Sequence, residues 1–128
     1  MNKNKIFQFL VCLVITTAVY EKADCQEMSG SRIRYNSFTV STKQNKIMLD
    51  WSTDGTYPTN YFEIQKSTDG KNFKTIALVL GPDPKKADCD CYSGYEKRDR
   101  NYKNYYRLKH IDINGTVQFS ETRLLNKS

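Results

Sequence analysis

Residues 47–79 read IMLDWSTDGTYPTNYFEIQKSTDGKNFKTIALV. Apolar side chains recur here at every second position. Ile47, Leu49 and Trp51 alternate with Met48 and Asp50, and Phe62 and Ile64 alternate with Tyr61, Glu63 and Gln65. A period of two sends one set of side chains to one face of a strand and the other set to the opposite face. Asp54-Gly55 and Pro58 mark a loose connection after the first run. Asp69-Gly70 marks a tight hairpin after the second, because glycine takes the positive φ such a turn needs. The third run, Phe73–Leu80, is almost wholly apolar toward its end. The stretch is strand, turn, strand, turn, strand, with one tryptophan on its apolar face.

The same pattern continues outward. Phe38 and Val40 share a face in SFTVST. In NYYRLKHIDI, Tyr106 and Leu108 alternate with Tyr105, Arg107 and Lys109. TVQFSETRLL adds Val117, Phe119 and the Leu124-Leu125 pair, after an Asn114-Gly115 turn. Gly81-Pro82-Asp83-Pro84 ends a strand abruptly, since a proline cannot donate to a ladder. No segment after residue 25 has the 3.6-residue period of an amphipathic helix. The expected fold is all-β: a single antiparallel β-sandwich of about seven strands. Its candidate core is Ile47, Leu49, Trp51, Phe62, Ile64, Tyr106 and Leu108.

The N-terminus has a different composition. Lys3 and Lys5 precede an apolar run from Ile6 to Tyr20, followed by Ala23-Asp24-Cys25. A basic start, a short apolar stretch and small residues make a secretory signal over residues 1–25. The run is short for a membrane span, which takes about 20 residues. Cleavage is expected after Cys25, with Ala18 as the runner-up and lipidation of Cys25 as a minor alternative. Residues 26–36 read as a polar lead-in and 37–128 as the sandwich, with no membrane span left after cleavage. The whole sequence has a net charge of +6. Losing Lys3, Lys5, Lys22, Glu21 and Asp24 lowers it by one, so the exported part stays basic and is weakly attracted to acidic partners. Cys89 and Cys91 are the two cysteines that remain. In an exported chain they are disulfide candidates. A bridge to each other, a bridge to a retained Cys25, and free thiols all stay open.

These segments resemble a known family. IMLDWST resembles the second strand of a fibronectin type III domain, whose core tryptophan Trp51 would supply. YFEIQKS resembles the third strand. NYYRLKHIDINGT resembles the sixth, where a tyrosine, here Tyr105 or Tyr106, closes a corner against nearby backbone. More narrowly, YFEIQKSTDGKNFKTIALV and YYRLKHIDINGTVQFSE are similar to a fibronectin-like module of exported Bacteroidota proteins. That module often precedes a sorting domain for type IX secretion. The resemblance covers about residues 38–123. It implies a spacing or binding role. The chain departs from the usual context by ending at Ser128 without a sorting domain and by carrying the module alone.

The residue chemistry excludes several classes. His110 is the one histidine. Asp112 follows it on the same strand face, but no nucleophile motif accompanies them. The acids lie scattered through turns and outward positions, not paired across a cleft. Asp88-Cys89-Asp90-Cys91 is at most half a zinc site, so no metal and no cofactor are expected. YEKRDRNYKNYYRLK mixes cations with tyrosines as single-strand binders do, but the export signal argues against nucleic acid. What remains is contact through connections. Tyr57, Tyr92, Tyr95 and Tyr102, with Arg98 and Arg100, are the candidate binding residues. The loop Gly81–Gly94 and the connection Arg98–Lys103 are expected to form one end of the sandwich. The expectation is a non-catalytic, exported module that binds protein or glycan at the cell surface or in the periplasm. It could serve as an accessory subunit of an envelope assembly. The rival is a small metal-binding or thiol redox protein centred on Cys89-Asp90-Cys91. The ligand and the oligomeric state are not legible.

Overall fold

A computed structural model of the chain describes residues 32–100 and 103–126. The signal segment, its cleavage site, Cys25 and Tyr102 lie outside the described residues. The alternating runs form eight strands: β1 (Tyr35–Lys43), β2 (Lys46–Thr53), β3 (Tyr61–Ser67), β4 (Lys74–Val79), β5 (Asp90–Lys97), β6 (Lys103–Ile111), β7 (Val117–Phe119) and β8 (Arg123–Asn126). Every pairing is antiparallel. One sheet has the order β1-β2-β5. The other has the order β4-β3-β6-β7, with β8 also paired to β6. The fold is all-β, and no helix among the described residues is long and apolar enough to cross a membrane.

The eighth strand comes from a break in one run. Residues 116–125 read as a single strand in the sequence, but pairing with β6 stops at Phe119 and resumes at Arg123. Ser120 fills the gap. Its N–H donates to the Leu108 carbonyl at 2.9 Å, and its hydroxyl accepts from the Leu108 N–H at 2.8 Å. The ladder therefore loses no partner at Leu108 where the strand is interrupted.

Turn chemistry fixes the registers. Gly70 has φ 75° in the β3–β4 hairpin. The Asp69 carboxylate caps that turn, accepting from the N–H groups of Lys71 and Asn72 at 2.8 Å. These bonds hold the Asp69 carboxyl well below the usual carboxylate range. One turn went unread in the sequence. Gln44 and Asn45 take φ 48° and 62° between paired Lys43 and Lys46. That is the two-residue hairpin whose twist matches flanking strands, here without the usual glycine.

The core lies between the sheets and is aromatic. Trp51 stacks on Tyr92 at 5.7 Å and meets Phe62 edge-on at 5.3 Å. Phe62 also contacts Tyr92 at 4.8 Å. Ile47, Leu49, Ile64, Tyr106 and Leu108 pack around these rings, each no more than 2% exposed. Truncating one such ring costs about 3–5 kcal/mol.

Two boundaries are corrected. The irregular stretch set at Gly81–Gly94 ends early, because β5 begins at Asp90 and pairs along β2 from Thr53 to Lys46. The lead-in set at 26–36 also contributes to the fold, since Ile33 is buried in the core cluster and Tyr35 opens β1.

Candidate functional site

The outer face of the β4-β3-β6-β7 sheet carries an ordered array of side chains. Register places them in two rows that run across the strands. One row is Thr75 on β4, Gln65 on β3 and Arg107 on β6. The other is Leu78, Glu63, Lys109 and Phe119, on β4, β3, β6 and β7. Residues two apart on one strand face the same way, so the rows lie about 7 Å from each other.

Hydrogen bonds knit the rows together. The Thr75 hydroxyl donates to Glu63 Oε2 at 2.7 Å and accepts from Gln65 Nε2 at 3.3 Å. Lys109 Nζ donates to the same Glu63 oxygen at 3.2 Å. Burial raises the Glu63 pKa, but the bonds from Thr75 and Lys109 outweigh it and hold the carboxylate below its ordinary value. Arg107 Nε donates to Gln65 Oε1 at 2.8 Å. Its guanidinium sits 4.0 Å from the Phe73 ring and 4.2 Å from the Phe119 ring. Phe73 comes from the β3–β4 hairpin and Phe119 from β7, so the two rings flank the cation from opposite sides. Each such contact is worth about 0.5–1 kcal/mol when partly exposed.

The residues expected to form a binding surface are not brought together. Tyr92 is buried at 6% exposure on β5 and belongs to the core, not to a loop. Tyr57 packs against the core, with its hydroxyl donating to Asp112 at 3.3 Å. Tyr95 is 61% exposed on the outer face of the β1-β2-β5 sheet, under the Lys46 ammonium. The connections before and after β5 leave its opposite ends, so residues 81–89 and Arg98–Arg100 cannot share one end of the sandwich. Arg98 lies near the β1–β2 hairpin, its N–H on the Asn45 carbonyl at 3.1 Å. Arg100 is exposed near the same end.

Other chemistry-bearing groups are absorbed by the fold. His110 is fully buried. Its Nε2 lies 3.0 Å from the Thr59 hydroxyl, and its ring meets Tyr57 edge-on. Burial pushes its pKa down, partly countered by the charge of Asp112. At the other end, Lys66 is held by Glu96 at 2.7 Å and by Asp99. Tyr106 faces inward and donates to Glu96, a side chain and not the nearby backbone that the resemblance implied. Tyr105 faces outward beneath Lys103. Cys89 and Cys91 are joined in a disulfide. Among the described residues, no group of three or more histidines, cysteines or acids could hold a metal ion.

The array was missed because its parts are distant in sequence and each alone looks bland. Arg107 and Lys109 were read as outward strand residues. The missing signal was register, which aligns residues 65, 75 and 107 in one row and 63, 109 and 119 in the next.

No protein-family model and no curated protein matches the sequence. Solved structures do match by shape. Pectate lyase Pel3 from Pectobacterium carotovorum superimposes with a TM-score of 0.56 at 18% identity, over 74% of this chain and 27% of that one. A β-1,2-glucanase from Parabacteroides distasonis gives 0.50 at 18% identity, over 75% and 13%. A myokine gives 0.51 at 16% identity, over 75% and 97%. The chain thus spans about a quarter of the length of the pectate lyases it matches. At these identities the likeness shows the fold alone. It still overturns one expectation: a fold carried within polysaccharide-cleaving enzymes gives no ground for holding that the chain has no enzymatic activity.

Proposed function

We propose that the chain is an exported, fibronectin type III-like module that binds glycan through the outer face of its β4-β3-β6-β7 sheet. In this reading it serves a polysaccharide-acting assembly at the cell envelope. The carrying observation is the pair of cross-strand rows, with fixed hydrogen-bonding groups beside the half-exposed Phe119 ring. A sugar offers an apolar C–H face rimmed by hydroxyls. A flat sheet with a ring and oriented donors and acceptors complements both parts. The strand order supports the family reading, since two antiparallel sheets exchanging strands between them are the immunoglobulin-like arrangement. The basic, then apolar, N-terminal sequence supports export. The recurrence of the fold in a pectate lyase and a glucanase supports a polysaccharide setting.

Affinity electrophoresis through gels containing different polysaccharides tests the proposal. Retardation by at least one of them is expected, with Phe119→Ala abolishing it and Tyr57→Ala preserving it. Retardation that survives Phe119→Ala but is lost in Tyr57→Ala would return the site to the connections.

A further inference from the structure

We infer that Arg107 is the receptor for a carboxylate carried by an acidic glycan, an assignment that rests on the glycan-binding reading above. The guanidinium is fixed on three sides. Phe73 and Phe119 flank it, and Gln65 takes its Nε–H. Among the described residues, neither terminal nitrogen has a hydrogen-bond or ion-pair partner. Neither is among the fully buried polar atoms left unpaired, so each keeps some contact with solvent on this half-buried side chain. A planar cation held this way presents its free edge as a ready fork, with little side-chain entropy left to lose on binding. A carboxylate matches that fork with two parallel bonds.

The surroundings favour an anion. Lys103, Arg107 and Lys109 lie on the same outer face of β6. Glu63, the acid in the neighbouring row, is already occupied by Lys109 and Thr75. The whole sequence carries a net charge of +6. The two rings and Gln65 hold the cation in place, and no acid among the described residues pairs with it. The neighbouring fold occurs in an enzyme that acts on pectate, a polymer of carboxylated sugars. The neighbour suggests the probe, and the geometry of Arg107 carries the inference.

The test is calorimetric titration of the full chain with four polymers: polygalacturonate, its fully methyl-esterified form, a neutral β-1,2-glucan and polyglutamate. The expected result is tightest binding to polygalacturonate. Esterification, which removes the charge and keeps the sugar, should weaken it by about tenfold or more, the scale of one lost charged fork. Arg107→Lys and Arg107→Ala should each weaken polygalacturonate binding to a similar degree, with near-UV circular dichroism unchanged. If the esterified polymer binds as tightly, or if both Arg107 variants bind like the parent, the inference falls while glycan binding stands. If polyglutamate matches polygalacturonate, only net charge is being sensed, and the inference falls. If none of the glycans binds, the glycan reading falls with it.

Discussion

Two aromatic clusters sit on opposite faces of one sheet, and they are built on different principles. The inner one packs Trp51, Phe62 and Tyr92 ring against ring between the sheets. Trp51 Nε1, Tyr35 Oη and His110 Nδ1 are buried there with no hydrogen-bond partner among the described residues. The outer one places a cation between Phe73 and Phe119 and pairs its neighbours carefully. Buried ring area is worth several kcal/mol, whereas surface pairs are worth about 0–1 kcal/mol each. The inner cluster therefore holds the fold together. The outer array adds less to stability, and its fixed groups beside the half-exposed Phe119 ring are the argument for a site.

The sharpest way to break this contrast is to remove inner rings. Trp51→Ala should lose about 3–5 kcal/mol and Tyr92→Ala about 3 kcal/mol in chemical denaturation. A Tyr92→Ala variant that melts like the parent would restore that ring to a loop. Acid tests the same interior more gently. The folded pKa of His110 is depressed by burial, so the unfolded chain takes up this proton more readily. Its contribution is complete above the unfolded value of about 6.5 and is lost as pH falls from there through the folded value. Stability should decline as pH falls below about 6.5, by less than either truncation, and His110→Gln should flatten the decline. An unchanged slope in that variant would mean the ring is hydrated.

Smaller effects sharpen the comparison. Cys89 and Cys91 are two residues apart, so their bridge closes a very short loop. Reduction should cost about 1.5 kcal/mol or less by loop entropy, visible as a modest shift in urea midpoint. A collapse of the transition on reduction would show that β5 depends on it. Arg107→Ala should cost about 1 kcal/mol of stability through lost ring contacts, visible as a small shift in the urea midpoint. Tyr95→Ala should stay within about 0.5 kcal/mol, as surface substitutions usually do.

How much could be read in advance follows from what each strand shows to its neighbours. The faces of β2 and β6 were legible because Ile47, Leu49 and Trp51, and Tyr106 and Leu108, alternate with polar residues. Strand β5 hid itself. Its inward positions are Tyr92, Gly94 and Glu96, so no apolar alternation announces them. At Gly94 an added Cβ would run into Ile64 Cδ1, which would have to shift. Glu96 turns inward to take the Tyr106 hydroxyl and Lys66. With Gly81 to Pro84 and two cysteines just upstream, the whole segment passed for loop, and Tyr92 went with it. The outer array was illegible for another reason. Phe73, Arg107 and Phe119 are ordinary alone and meet only through the β3–β6 and β6–β7 registers. A bulge between Ile64 and Gln65 also shifts β4 by one residue. No local pattern encodes that shift, and it brings Thr75 beside Gln65.

The most direct measurement is amide and side-chain NMR of the full chain during titration with a short galacturonate oligomer. The account predicts shifts clustered at Gln65, Thr75, Arg107, Lys109 and Phe119, with the Trp51 indole resonance unmoved. Shifts confined to Tyr57, Tyr95 and Arg98, or a moving indole with a silent outer sheet, would contradict it.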